Sequence, residues 1–256
     1  MDDVIVPSEA KSASTEGAKH HIMGTHLSQV IEEGKHEVPE NPDPLVCKPR
    51  ELEPWRVFKI MSELVEGFDL LKKYALAVSI FGSTRLNLNP RYYADAATLA
   101  GKLATRGFAV ITGGSAGIME AANKGAYEAG GVSVGLNIRL EERQAANKFL
   151  TEEHTFDHFF VRKVMLTFAS EAYIYFPGGF GTLDEFFEIL TLVQTKKIRP
   201  IPIVLYGREY WEPFLERFKT DLLGEYGAID EKDLALIHVV DGVDEAYDYI
   251  TSHVTC

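Results

Sequence analysis

Two hydrophobic periodicities alternate along the chain from residue 54 onward. Val57, Ile60, Met61, Leu64, Phe68 and Leu71 recur at three and four residues, the spacing of a helix face that packs on a domain, and Pro54 suits the first turn of that helix. Residues 76–81 then form a short apolar run that predicts a buried strand. The same alternation continues to the end. Helices are predicted over 90–106, with Gly107 as the stop, from Ile118 through Tyr127, and over 156–170, where Val161, Val164, Met165 and Phe168 pack and Arg162 and Lys163 lie off that face. Further helices are predicted over 182–197, 209–222 and 243–253, with strands at 108–112, 132–136, 172–176, 200–206 and 237–240. Residues 139–151 are polar and read as a loop or short helix over whatever site the sheet carries. Strand and helix in strict turn predict an α/β fold: a doubly wound, mostly parallel sheet with right-handed crossovers and helices on both faces. Residues 1–54 lack this patterning and carry a proline cluster at Pro39, Pro42 and Pro44, so they are expected to form a disordered or loosely attached arm on a single domain of residues 55–256.

Charge and composition narrow the function classes. The net charge is −12, from 26 basic and 38 acidic residues, which argues against general nucleic-acid binding while leaving room for one small anion held locally. No apolar run approaches the roughly 20 residues of a membrane helix, and the first residues show no basic region leading into an apolar core, so neither membrane span nor signal peptide is expected. Two cysteines, Cys47 and Cys256, fit a reduced, cytoplasmic setting. His20, His21, His26 and His36 match no common ligand spacing and are read as part of a solvated tail, with no metal site.

Chemistry concentrates where strands end in glycine. Strand 172–176 runs into Pro177-Gly178-Gly179-Phe180-Gly181-Thr182, and an amphipathic helix follows with Leu183, Phe186, Phe187, Leu190 and Val193 on one side. Free N–H groups and the positive end of the helix dipole meet there without Cβ atoms in the way, a place for a phosphate. Two readings of Thr182 and Glu185 stand side by side. Thr-x-x-Glu fits a capping box that serves only the helix, or Thr182 touches the phosphate and Glu185 faces the bound sugar. Gly82 and Ser83 end the first strand at the edge where doubly wound sheets bind ligands. Gly113, Gly114 and Ser115 begin a second strand–glycine–helix unit, but GGxxG is not the dinucleotide pattern and no acidic residue ends the next strand, so NAD is disfavoured. Glu120 reads as an exposed helix residue, a marginal ligand candidate, and His158 as a packing or surface histidine rather than a general acid.

Position for position, Pro177-Gly-Gly-Phe-Gly-Thr-Leu-Asp-Glu185 resembles the PGGxGTxxE signature of the Lonely Guy family, once labelled lysine decarboxylases. The likeness extends over residues 76–206, through the Gly113-Gly114 loop with Gly117-Ile-Met-Glu-Ala and the Arg162-Lys163 pair. The longer N-terminal region is similar to the larger subgroup. The resemblance implies a Rossmann-like, nucleotide-binding domain that releases a free base and ribose 5-phosphate from a nucleoside 5′-monophosphate, either AMP or a cytokinin nucleotide. It implies catalytic roles for Arg162 and Glu185, phosphate contacts from Gly178 to Thr182 with Lys163 nearby, and a ligand contact at Thr191. Gln144 and Asn147 become candidates for contacts to base or ribose, although Arg143 stands where an acidic residue is expected. It further implies a homodimer or larger assembly paired through the helix of residues 182–197, for which Ile189 and Leu192 offer an apolar stripe.

Glycosidic cleavage of this kind builds positive charge on the ribose, which a carboxylate at Glu185 would stabilise, and asks for no metal or redox cofactor. Two other readings share the scaffold. One is a non-catalytic carrier or sensor of a nucleotide or of the molybdenum cofactor. The other is a pyridoxal-phosphate decarboxylase, which needs a Schiff-base lysine and has only Lys163 to offer.

Overall fold

The computed structural model describes residues 53–85, 89–140 and 146–255. Its strands are β1 (Ala77–Phe81), β2 (Ala109–Thr112), β3 (Ser133–Ile138), β4 (Glu152–Phe156), β5 (Ala172–Tyr175), β6 (Ile203–Tyr206) and β7 (Ile237–Val240). They form one sheet in the order β4-β3-β2-β1-β5-β6-β7, and every neighbouring pair is parallel. The chain winds outward from β1 to β4 and returns to β5 beside β1. That reversal is the topological switch point at which a doubly wound sheet opens a crevice.

The helices are α1 (Pro54–Leu71), α2 (Pro90–Thr105), α3 (Ile118–Glu128), α4 (Phe159–Phe168), α5 (Phe180–Gln194), α6 (Arg208–Arg217), the short α7 (Glu231–Leu234) and α8 (Val243–His253), with a π-helical stretch at Phe218–Glu225. Strand side chains alternate between two cores. Val78, Ile80, Val110, Ile174 and Val204 pack with residues of α2, α3 and α8 such as Leu99, Ala122 and Ile250. Ala77, Phe81, Ile111, Tyr173, Tyr175 and Leu205 pack with Leu71, Met165, Phe186 and Trp211 from α1, α4, α5 and α6. The inner strands are buried on both faces, which is why they read as unbroken apolar runs.

Four expectations change. Residues 152–156 form the edge strand β4 where none was predicted. Glu-Glu-His-Thr carries little apolar signal, because only Phe156 of this strand is fully buried. Its register comes from pairing with β3, and Glu152 is anchored by the side chains of Lys73 and Tyr74. Helix α1 carries two apolar stripes, of which the domain covers one. Ile60, Leu64 and Leu71 turn inward, whereas Val57, Met61 and Phe68 are exposed. The helix predicted over 209–222 stops at Arg217 and continues as the π-helical stretch. Finally, the stripe assigned to a partner is partly used within the chain, since Ile189 is buried in the domain's own core. The 1–54 arm, with its four histidines, lies outside the described residues apart from its last two positions, Glu53, the N-cap of α1, and Pro54, its first residue.

Among the described residues, no helix is long and apolar enough to cross a membrane, and no group of three or more His, Cys, Asp or Glu side chains is placed to hold a metal ion.

Candidate active site

A cleft of about 1240 Å³ opens at the carboxyl ends of β1, β2, β3 and β5. Two of its loops are bonded to each other: the Ser83 N–H donates to the Pro177 carbonyl at 3.0 Å. Tyr210, from the start of α6, donates its hydroxyl to the Gly178 carbonyl at 2.6 Å and braces the same turn from the far side. The first helical hydrogen bond of α5 runs from Leu183 N–H to Gly179 O, so the amides of residues 180–182 have no carbonyl partner within the helix. Gly178 to Leu183 line the cleft, which brings the positive end of the α5 dipole onto it.

The start of α5 excludes the capping box. Gly179 is the N-cap and Phe180 the first helical residue, so Thr182 sits at the third position inside the helix. Thr182 is buried beneath Gly178, where a Cβ would overlap its hydroxyl. Glu185 therefore lies a full turn in, too far along to reach back to the N-cap amide. Glu185 lines the cleft, and no hydrogen bond to its carboxyl group occurs among the described residues. Burial pushes its pKa up to about 7, against the opposing pull of Arg162.

Arg162 was expected off the packed face of its helix. It is instead 8% exposed, its Nε donating to the Leu136 carbonyl at 2.7 Å and its guanidinium 5.9 Å from the Phe159 ring centre. A cation can be carried there because one of its N–H groups is satisfied by the strand end and the rest of the head lines the cleft. Burial lowers its pKa and Glu185 raises it. The group remains a cation.

The other predicted residues divide. Gly82, Ser83, Gly113, Ser115 and the run Gly178 to Thr182 line the cleft together with Arg162 and Glu185. Gly114 lies behind the wall, its carbonyl accepting from Asn147 N–H at 2.9 Å. Asn147 is thus a brace and not part of the lining; its side chain also donates to Ser115 O at 3.1 Å. Lys163 points away, its Nζ 2.9 Å from Asp184 and 3.4 Å from Glu188. Thr191 is exposed on α5, two turns beyond the lining, and its carbonyl accepts from Thr195. Glu120 accepts from the Tyr93 hydroxyl at 3.4 Å outside the cleft. Gln144 lies outside the described residues. Sequence reasoning missed Arg85, Met119, Asn137, Phe159 and Tyr210, all of which line the cleft. Arg85 and Asn137 carried a usable signal, since both sit at or just past the carboxyl end of a predicted strand. Tyr210 did not, because its contact crosses from another crossover unit.

The sequence model of a family described as "Possible lysine decarboxylase" matches residues 119–250. A protein of Rhodococcoides fascians named cytokinin riboside 5′-monophosphate phosphoribohydrolase is 32% identical over 108 residues, 41% of this chain and 54% of that protein. An Arabidopsis thaliana protein of the same name is 34% identical over 105 residues, 40% of this chain and 46% of that one. The chain thus spans about half the length of these curated relatives. Among solved structures, the molybdenum cofactor carrier protein of Chlamydomonas reinhardtii superposes with a TM-score of 0.53 at 24% identity, covering 69% of this chain and 96% of that one. The molybdenum cofactor binding protein of Rippkaea orientalis gives 0.52 at 19% identity, covering 69% and 94%. At those identities the structural likeness speaks to the fold.

Proposed function

Since this chain belongs to the Lonely Guy family, the group described as possible lysine decarboxylases, we propose that it hydrolyses the N-glycosidic bond of a purine nucleoside 5′-monophosphate. AMP or a cytokinin riboside monophosphate would yield the free base and ribose 5-phosphate. The observation that carries this reading is that Glu185, Arg162 and the amino end of α5 line one cleft.

In this reading the 5′-phosphate is held by the amides of residues 180–182 and the dipole behind them, with Arg85 as a cation at the mouth. Fixing the phosphate tethers the ribose, so binding energy from a group that does not react places the ring beside Glu185. As the C1′–N bond lengthens, its electron pair leaves with the base and positive charge builds on the sugar. The Glu185 carboxylate faces that charge and takes a proton from water as the water oxygen bonds to C1′; that proton then completes the departing base. Arg162 supplies a fixed positive charge for the electrons leaving with the base, and Met119, Phe159 and Leu140 offer apolar surface for its ring. The carboxylate is the working form. With its pKa near 7, kcat/KM falls as the pH drops through about 7 and Glu185 takes up a proton.

The decarboxylase label finds no support in the cleft. Among the described residues no lysine lines it, and Lys163 is held as a cation by Asp184 and Glu188, which outweigh the effect of its burial.

The test is product chromatography after incubation with AMP and other nucleoside monophosphates, using wild type, Glu185→Gln and Arg162→Ala proteins shown to be folded. Wild type is expected to release free base, and Glu185→Gln to lose about 10²- to 10⁴-fold in kcat while still binding AMP. Turnover by Glu185→Gln at the wild-type rate would sink the catalytic assignment. AMP bound tightly by wild type, with no adenine released, would leave the carrier reading instead.

A further inference from the structure

Behind the cleft, and not among its lining residues, an amide is buried in the middle of a helix. Asn123 of α3 is wholly inaccessible, among Ala121, Ala122 and Ala126. A polar group in such a place costs stability unless every donor and acceptor is met. Here they are. The Asn123 Oδ1 accepts from the Thr112 hydroxyl at 2.6 Å and from Asn147 Nδ2 at 2.9 Å. Its Nδ2 donates to the Ser133 hydroxyl at 2.9 Å and to Val134 O at 3.4 Å. One side chain therefore ties together the end of β2, the start of β3 and the chain at residue 147.

Both connections to its oxygen end on the same residue, Gly114, directly behind the cleft wall. Thr112 Oγ1 accepts from the Gly114 N–H at 2.9 Å, and the Asn147 N–H donates to the Gly114 carbonyl at 2.9 Å. Gly114 is thereby held by its N–H and its C=O at once, and each line of hydrogen bonds leads back to Asn123. The next residue, Gly113, is where the wall meets the guanidinium: a Cβ there would overlap Arg162 Nη2. The arginine head lies between this wall and the Leu136 carbonyl that anchors its Nε. A shift of the wall is a shift of the space open to the head.

We propose that Asn123 is a positioning residue for the cleft: through Thr112 and Asn147 it sets the Gly113–Ser115 wall, and through the wall it sets the guanidinium of Arg162. The catalytic consequence rests on the reading given under Proposed function; the geometric one does not. A satisfied buried network holds its members to one arrangement more tightly than apolar packing does, because any displacement leaves a buried group unpaired.

The experiment uses Asn123→Ala together with two milder variants, Thr112→Val and Asn147→Ala, each of which cuts one line to Gly114 and leaves Asn123 in place. Three quantities are read: the NMR resonance of the Arg162 Nε–H, the dissociation constant for inorganic phosphate, and kcat and KM for AMP. The Arg162 resonance is expected to shift or broaden in all three variants. Phosphate affinity, set by residues 180–182, is expected to stay within about twofold, and kcat to fall on the order of tenfold to a hundredfold with KM little changed. If Asn123→Ala does not fold, Thr112→Val and Asn147→Ala carry the same test. Variants that melt at lower temperature with the Arg162 resonance and kcat unmoved would reduce the network to structural glue and overturn the proposal. Should wild type cleave no nucleoside monophosphate, the functional reading fails, and the Arg162 resonance alone decides whether Asn123 positions it.

Discussion

At Gly113 and Gly114 an added Cβ would run into Arg162 and Met119 at the first position and Asn137 at the second, whereas at Gly179 and Gly181 it would meet no atom of the described residues within 4 Å. The two strand–glycine–helix turns look alike as sequence and are glycine-rich for opposite reasons. The turn after β2 is closed. Its glycines make room for protein atoms, and its backbone is bonded to Thr112 and Asn147; with the Asn137 amide turned so that its nitrogen faces the loop, that group also donates to the carbonyls of Gly113 at 3.0 Å and Gly114 at 3.3 Å. The turn after β5 is open at Gly179 and Gly181, although Gly178 is closed over Thr182. Gly179 has ordinary backbone angles, φ −95° and ψ −159°, so neither strain nor crowding within the chain explains the missing side chain. What remains is room for something that approaches the amides from the cleft. A glycine-rich loop is thus no ligand site by composition; it becomes one where the space beside it is left empty.

The comparison is broken most forcefully at the closed turn. Gly113→Ala is expected to push the Arg162 head out of place, with a loss of at least about 100-fold in kcat/KM and a destabilisation of ~1–3 kcal/mol. Initial rates and urea melts check the two together. An alanine accepted there without loss of either would mean that the wall does not hold the arginine.

Gly181→Ala is the converse and smaller change. Inside the first turn of α5 the alanine stabilises the helix by ~0.5–1 kcal/mol, since glycine is the poorer helix former and no neighbour is in the way. The same methyl group stands over the amides and is expected to weaken binding of ribose 5-phosphate by about tenfold, or ~1.4 kcal/mol, measured by calorimetry. Stability and affinity moving in opposite directions is the signature of a glycine kept for a ligand. If the melt improves and affinity is untouched, the open turn is only a turn.

How much of this was legible beforehand follows the same division. The sheet could be read because the inner strands are buried on both faces, and β1, β2, β5 and β6 fall within the predicted apolar runs for that reason. Edge strand β4 could not, because its register comes from β3 and not from its own residues. The cluster at the carboxyl edge was visible as strand–glycine junctions, which is where Gly82, Gly113 and Gly178 sit. The capping-box alternative arose because spacing alone does not say which residue begins a helix; with Gly179 as N-cap, Thr182 moves inside α5 and Glu185 is freed from the helix end. Arg162 defeated periodicity altogether. The apolar spacing places Arg162 off the packed face, and only its bond to one carbonyl at the end of β3 shows how the guanidinium is carried inward. Such contacts join residues far apart in the chain, and no local pattern records them.

The last difference between the two turns is electrostatic, and it gives the smallest effect. Around the closed turn the polar groups of Thr112, Asn123 and Asn147 are all paired; beside the open one, no hydrogen bond to the Glu185 carboxyl occurs among the described residues. Its pKa of about 7 lies above the ordinary carboxyl value of 4.5, so the folded chain holds that proton more tightly than the unfolded chain. Between those two values folding therefore takes up a proton, and stability falls as the pH rises through the window. Above about 7 the ionised, half-buried carboxylate remains as a standing cost, on the order of 1–3 kcal/mol. Glu185→Gln removes the ionisation and keeps the shape. The variant is expected to melt a few degrees above wild type at pH 8, and the gap should close toward pH 5, where Glu185 is protonated in the folded state. Thermal melts of both proteins across that range check it. A constant gap, or a wild type that gains stability with rising pH, would show that the carboxylate is paired after all and that the cleft is not held open for a charge at its sugar end.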